Sequence, residues 1–303
     1  MIQLPSALMG KTLTVVVVGA GGTGSILLGG LAQMAIALEA LGHPGLRVTV
    51  VDDDRVSPAN IGRQAFGKAD IGQYKAEVLV NRINLSFGLD WEACTNRLAT
   101  DPDETDLGRS FSQHGRHRGK DDADIWIGCV DTRAARKAIN NHWHRSVGRG
   151  NASIWLDCGN AAHSGQVVLG LRESVCIEEG GQRNGKWVSA QYRTQVLLPS
   201  CADLFPEMID DSQDGADSAP SCSLPEALAK QDLFTNRAMA DAALNLLWQF
   251  LRHGETAVHG AFINLKNCRT NPLPVDEAVW QRMGYERPPL FVKTQEQALT
   301  EIA

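Results

Sequence analysis

No Cys-x-x-Cys pair occurs in this 303-residue chain; Cys94, Cys129, Cys158, Cys176, Cys201, Cys222 and Cys268 stand singly. Structural zinc is held by closely spaced ligands, so none is expected, and an odd set of unpatterned thiols argues against a secreted disulfide framework. Positive charge is not in excess either: the net charge is -6, which argues against a general nucleic-acid binder. The one basic cluster, His114 to Lys120, is flanked by Asp101 to Asp106 and Asp121 to Asp124 and reads as a solvated loop. Met1 to Lys11 lacks a charged start followed by an apolar core, so no signal peptide is expected. Internal repeats are absent, and the longest apolar stretch carries Gln33 and Glu39, which argues against a membrane span of about 20 residues. On these absences a cytoplasmic protein is expected, with neither nucleic acid nor membrane as partner. At 43% apolar and 21% charged, the chain can bury a sizeable core.

The informative part begins at Val15-Val-Val-Val18, which runs into Gly19-Ala-Gly21-Gly-Thr-Gly24. A β-branched strand closed by such a turn lets backbone approach a phosphate with no Cβ in the way, and the next helix offers that anion its unpaired N–H groups. Ser25 to Leu41 is apolar on nearly every face and is expected as a helix buried against a sheet, with Gly29-Gly30 letting it lie close to the strands. Val48 to Val51 then reads as a second strand delivering Asp52, where a carboxylate commonly accepts from ribose hydroxyls. This unit alone fits NAD enzymes, flavoproteins and adenylating enzymes equally well.

The residues after Asp52 discriminate among them. Asp54, Val56, Asn60, Arg63 and Gln64 trail that acid, and Gly72 leads to Lys75, so that an amide, a guanidinium and an amine fall within one short span. A triphosphate needs that cation density and a nicotinamide does not; Arg offers a planar fork to phosphate oxygens and Lys a compact charge. Asp124 to Asp131 reads as another buried strand ending in an acid, and Asp131 could hold Mg²⁺ together with phosphate oxygens and water, or cap the helix read from Thr132 to Val147.

In order, Gly-x-Gly-Gly-x-Gly, Asp-x-Asp-x-Val, Asn-x-x-Arg-Gln, Gly-x-x-Lys and Cys-x-Asp are all present. With them the chain resembles the ThiF/MoeB/HesA family of ATP-dependent enzymes that activate the C-terminus of ubiquitin-like and sulfur-carrier proteins. In detail it is most similar to the divergent ThiF-type branch of the PRTRC cassettes of bacterial mobile elements. The resemblance covers about residues 12 to 172. It implies that Gly19, Gly21, Gly22 and Gly24 floor the α-phosphate, that Asp52 and Asp54 belong to the nucleotide site with Asp52 on the ribose, and that Asn60, Arg63, Gln64 and Lys75 face the phosphates. Asp131 would coordinate Mg²⁺. The implied partner is a small β-grasp protein ending in glycine, and a homodimer is expected on the same ground.

Two features depart from the family. Met1 to Lys11 holds no arginine where many members carry one that reaches the partner subunit's site, and the zinc knuckles are missing. Cys222, in a Ser- and Pro-rich stretch ahead of a helical run, is the candidate nucleophile for a thioester, since a thiolate near a helix N-terminus has a lowered pKa. Cys129 and Cys158 lie on strand-like runs and read as small core residues.

The fold expected is α/β: a Rossmann-like, mainly parallel sheet flanked by helices, with a more antiparallel C-terminal extension. Residues 1–172 would form the ATP-binding adenylation core. Residues 173–303 would extend the same fold, with a mobile acidic loop at about 203–221, the candidate cysteine and the partner-binding surface. Lys75 to Phe87 reads as helix, Trp91 to Leu98 as a strand, and Pro102 to Asp122 as a long polar insertion. Ile154 to Cys158 and Gly165 to Leu171 read as strands joined through Gly159-Asn160, with Val188 to Leu198 as a further one. Asn236 to His253 has helical spacing, Val258 to Leu265 reads as strand and Val275 to Met283 as a late helix. The expected reaction is adenylation of a carboxylate by ATP with release of pyrophosphate, Arg63, Lys75 and Asp131 being the catalytic residues. An NAD(P)-dependent oxidoreductase and a non-catalytic nucleotide-binding scaffold are the alternatives.

Overall fold

A computed structural model describes residues 1–104, 123–148, 151–183, 186–214 and 223–287. The polar stretch from residue 105 to 122, with His114 to Lys120, and the candidate Cys222 lie outside the described residues.

The first strand of the main sheet, β1 (Leu13–Val18), has Val15, Val16 and Val17 fully buried, as expected of a strand covered on both faces. It leads through the glycine turn to helix α1 (Gly22–Ala40) and then to β2 (Leu46–Val51). Helix α2 (Lys75–Phe87) and strand β3 (Glu92–Cys94) come after it. Next are β4 (Ile125–Gly128), α3 (Arg133–Ser146) and β5 (Ala152–Asn160). Strands β3, β2, β1, β4 and β5 are neighbours in that order and all parallel, which places the carboxyl ends of β1, β2 and β4 along one rim. A sheet of this kind binds its ligand in the crevice beyond those ends, where the strand order reverses.

The remainder of the nine-stranded sheet is antiparallel. Strand β6 (Ser164–Glu178) pairs with β5, with β7 (Gln191–Leu198) and with β8 (Val258–Asn264), and β9 (Arg269–Pro274) closes the edge. The second half of the chain also carries helices α4 (Cys201–Leu204), α5 (Leu224–Lys230), α6 (Thr235–His253) and α7 (Glu277–Arg282). This is the α/β fold read from the sequence, parallel in its first half and antiparallel after it.

The expected long strand from Trp91 to Leu98 is only three residues, Glu92 to Cys94. Between β5 and β6 the ladder continues through Gly159 and Asn160, paired with Gln166 and Gly165, so the reversal falls after them at Ala161 to His163. Helix α1 buries Leu27, Leu28 and Leu31 completely. Each such side chain contributes about 1.5–3 kcal/mol relative to exposure. By length and composition α1 could cross a membrane, yet here it packs on α6. The sequence placed Gly29-Gly30 against the strands; instead an added Cβ at Gly30 would sit 2.3 Å from Leu244 Cδ1 on α6, while Gly29 meets no atom within 4 Å. Gly22, eight residues earlier, meets Asn236 of α6 in the same way. Glycines two turns apart thus let the helices touch backbone to side chain.

Candidate nucleotide site

At the carboxyl end of β1 the chain turns through Gly19, whose φ of +95° few side chains tolerate. An added Cβ there would lie 2.5 Å from the Cys129 carbonyl oxygen, and one at Gly24 would lie 1.9 Å from the Gly19 oxygen. Both glycines are therefore demanded by packing within the protein. Gly21 is different: no atom lies within 4 Å of its added Cβ, so it borders open space. It also occupies the N-cap position of α1, which receives no side-chain cap. The first-turn N–H groups of α1 therefore point past a residue without a side chain, an arrangement suited to an anion.

Asp52 braces this turn from the end of β2. Its Oδ2 accepts from the Ala20 N–H at 2.6 Å and its Oδ1 from the Asp54 N–H at 2.9 Å. Burial pushes its carboxyl above the usual range, and the positive charge of Lys75 opposes that shift. A carboxylate has about four acceptor directions, so two remain for hydroxyl donors. Lys75 opens α2 with its side chain only 8% exposed, and its Nζ lies 2.6 Å from Oδ2 of Asp54, a carboxylate 69% exposed. The Lys75 N–H also donates to the Asp54 carbonyl, so the two residues are joined twice.

The loop between them is held by Asn60, whose Oδ1 accepts from the Ser57 N–H at 2.8 Å and the Ser57 hydroxyl at 3.2 Å. Its oxygen is thus committed to the loop, and what it can offer a phosphate is its amide N–H₂. Arg63 and Gln64 come next, and each has a buried polar atom, Arg63 Nε and Gln64 Oε1, without a partner. Such atoms are costly unless something fills the role. Burial lowers the pKa of Arg63, and Asp131 across the rim counteracts this. The structure therefore groups Lys75 with Asp52 and Asp54, and Arg63 with Asp131, around one glycine turn.

Asp131 is exposed and does not cap α3; Thr132 does, its hydroxyl accepting from the Ala135 N–H at 3.2 Å. Asp214, from the acidic segment, adds a second carboxylate at that helix end, accepting from the Arg133 N–H at 3.0 Å and the Ala134 N–H at 2.9 Å. Within the expected mobile loop at about 203–221, Pro206–Ile209 and Asp211–Gln213 form short 3-10 turns and Asp211 pairs with Lys137 at 3.0 Å, while residues 215–221 lie outside the described residues. Cys158 is buried as expected; Cys129 is only partly so.

The sequence did not reveal Arg136 and Asp157. Arg136 Nε donates to both Asp157 oxygens, at 3.2 and 3.3 Å, and one terminal nitrogen donates to the Val130 carbonyl at 2.8 Å, fixing the peptide ahead of Asp131. Both side chains are nearly sealed off, and burial pushes the Asp157 carboxyl up while the Arg136 charge pulls it down. A carboxylate inside the apolar run Ile154 to Cys158 was the readable sign that a buried cation faces it. Arg136 also lines a cavity of about 440 Å³ with Asn160, Gln166, Met208, Phe262 and Asn271.

A model of the ThiF family matches residues 9–273, and the chain belongs to that family. It is similar to ubiquitin-like modifier-activating enzyme 5 of Branchiostoma floridae, 26% identical over 173 residues, 55% of this chain and 38% of that protein. The chain thus matches well under half the length of that curated relative. Among solved structures it resembles selenomethionine-labelled PaaA, with a TM-score of 0.51 and 14% identity over 87% of this chain and 64% of that one. It also resembles E. coli MccB solved with AMPCPP and MccA, with a TM-score of 0.50 and 12% identity over the same shares. At these identities the structural likeness shows the fold.

Proposed function

We propose that this ThiF-family chain uses ATP to adenylate the C-terminal carboxylate of a small ubiquitin-like or sulfur-carrier protein. The observation that carries this reading is the pair of unpartnered buried atoms, Arg63 Nε and Gln64 Oε1, the Arg63 charge within the field of Asp131, together with a glycine turn whose Gly21 borders open space. Membership of the family, a modifier-activating relative and a fold shared with MccB, itself solved with AMPCPP and MccA, support it.

In this reading the triphosphate lies over Gly21, with its α-phosphate at the first turn of α1 and its ribose hydroxyls on Asp52. Arg63, Lys75 and the Asn60 amide meet the phosphate oxygens. An ionised carboxylate oxygen forms a bond to the α-phosphorus while the bond from that phosphorus to the bridging oxygen of pyrophosphate breaks. No protein base is required, because the nucleophile is already deprotonated. Rate enhancement comes from alignment and from charge held ready where the leaving group develops it.

Among the described residues no three His, Cys, Asp or Glu side chains gather as a metal cluster. Asp131, an exposed carboxylate, suits Mg²⁺, which takes one or two carboxylates and completes its shell with phosphate oxygens and water. When bound there, the ion would neutralise charge on the departing pyrophosphate. The amide-rich cavity beside Arg136 is the place we assign to the partner's extended tail, since Asn160, Gln166 and Asn271 can pair with peptide groups. A β-grasp partner ending in glycine, capture of the acyl group by Cys222, a homodimer, a PRTRC setting and a cytoplasmic location complete the proposal on sequence resemblance and composition.

The test is partner-dependent ATP–pyrophosphate exchange, using a small β-grasp protein that co-purifies with the chain. Lys75→Ala and Asp131→Ala are each expected to abolish exchange; full exchange in both variants sinks the assignment. A reducible conjugate that persists in Cys222→Ala removes Cys222 as the acceptor.

A further inference from the structure

A turn built from four glycines has almost no side chains with which to hold its own shape, so its position must be imposed from outside. Asp52 does this on one side through the Ala20 N–H. On the other side the anchor is a closed polar circuit from the C-terminal half of the chain. The Thr23 hydroxyl donates to Asn236 Oδ1 at 3.0 Å, and Asn160 Nδ2 donates both to Thr23 Oγ1 at 3.0 Å and to Asn236 Oδ1 at 2.8 Å. Asn236 Nδ2 in turn donates to Gln231 Oε1 at 2.7 Å. Thr23 and Asn236 are each only 3% exposed. The circuit is itself tied down, since the Thr235 hydroxyl and the Asp232 N–H both donate to the Ala162 carbonyl. Asn236 also touches the turn directly, because its amide fills the space that a Cβ on Gly22 would take.

We propose that Asn236 is a positioning residue for the nucleotide: acting through Thr23 and Gly22, it sets the height of the first turn of α1 beneath the phosphates. The inference rests on the adenylation reading for the identity of the nucleotide. The physical reason is preorganisation. The N–H groups of α1 stabilise an anion only where they already point at it, and an error of about 1 Å at a reacting group can cost roughly 100-fold. A circuit whose centre, Thr23 and Asn236, is buried and whose outer members, Asn160 and Gln231, each hold a partner fixes the turn, and losing a central member leaves the other without its bond.

The experiment is titration calorimetry of the full chain with ATP, alongside thermal unfolding. Thr23→Ser keeps the hydroxyl and is expected to bind ATP within about twofold of the wild type, while Thr23→Val and Asn236→Leu each weaken binding about tenfold or more. The double variant is expected to lose little beyond either single one, because both break the same circuit. A purely structural role would lower the unfolding temperature and leave ATP affinity intact. Should Asn236→Leu fail to fold, the nearly isosteric Thr23→Val decides. Wild-type affinity in folded Thr23→Val overturns the inference. Absence of ATP binding by the wild-type chain is a separate result, overturning the adenylation reading and this inference with it.

Discussion

Lys75 Nζ sits 2.6 Å from Asp54 Oδ2, joining an ammonium that is almost sealed from solvent to a carboxylate that stands mostly in it. The two ends of that pair are unequal: Asp54 can turn away into water at little cost, whereas Lys75 cannot follow. A triphosphate entering the rim would therefore find a fixed cation whose present partner is easily displaced.

Lys75→Met tests this asymmetry. ATP affinity is expected to fall by roughly 2 kcal/mol, the scale of a hydrogen bond to a charged group. Folding stability should change by less than about 1 kcal/mol, because the carboxylate left behind is solvated. Calorimetric titration with ATP and urea unfolding together check it; equal losses in both measurements would make Lys75 a structural residue.

The Arg136–Asp157 pair predicts the opposite pattern, because both groups are buried. Arg136→Met should destabilise the chain by about 3–5 kcal/mol, since it strands a carboxylate in the interior. Adding Asp157→Leu to that variant should recover much of the loss. Urea midpoints of the wild type, the single variant and the double variant give the answer, and a double variant no more stable than the single one would contradict it.

His259 makes stability depend on pH. It is fully buried, accepts from Trp280 Nε1–H at 2.8 Å through Nε2, and its Nδ1 lies 3.0 Å from the Leu169 carbonyl, which fixes the neutral form with a proton on Nδ1. Burial pushes its pKa down to about 4 from the ordinary 6.5. The unfolded chain therefore binds the extra proton first as pH falls. The contribution is fully present above pH 6.5 and lost progressively toward pH 4, on the order of 3 kcal/mol in all. Urea unfolding at pH 7.5, 5.5 and 4.5 should show this slope, reduced in His259→Gln; an unchanged slope in the variant would rule out His259 as its source.

The parallel half of the fold was legible where a strand is an apolar run closed by glycine or acid, as Val15 to Val18 closes at Gly19 and Val48 to Val51 at Asp52; the short Glu92–Cys94 strand has no such pattern. The rim residues were legible for a related reason: Asp52, Asn60, Arg63 and Lys75 lie close together in sequence. What holds them in place was not. Thr23 and Asn236 are 213 residues apart, and no local pattern foretells their hydrogen bond. Gly159-Asn160 suggested a reversal because both residue types favour turns. The ladder runs on through them instead, and the glycine serves a close approach, since an added Cβ would meet Gln166 Nε2 at 2.4 Å. Gly30 misled similarly, being read against the strands when it faces Leu244.

The most direct measurement is a crystal structure of the full chain with ATP and magnesium. It is expected to show the triphosphate over Gly21, Arg63 and Lys75 on its oxygens, the ribose on Asp52 and a magnesium ion between Asp131 and the phosphates. Arg63 and Lys75 turned away from the nucleotide, or a triphosphate lodged anywhere but on the glycine turn, would contradict the account.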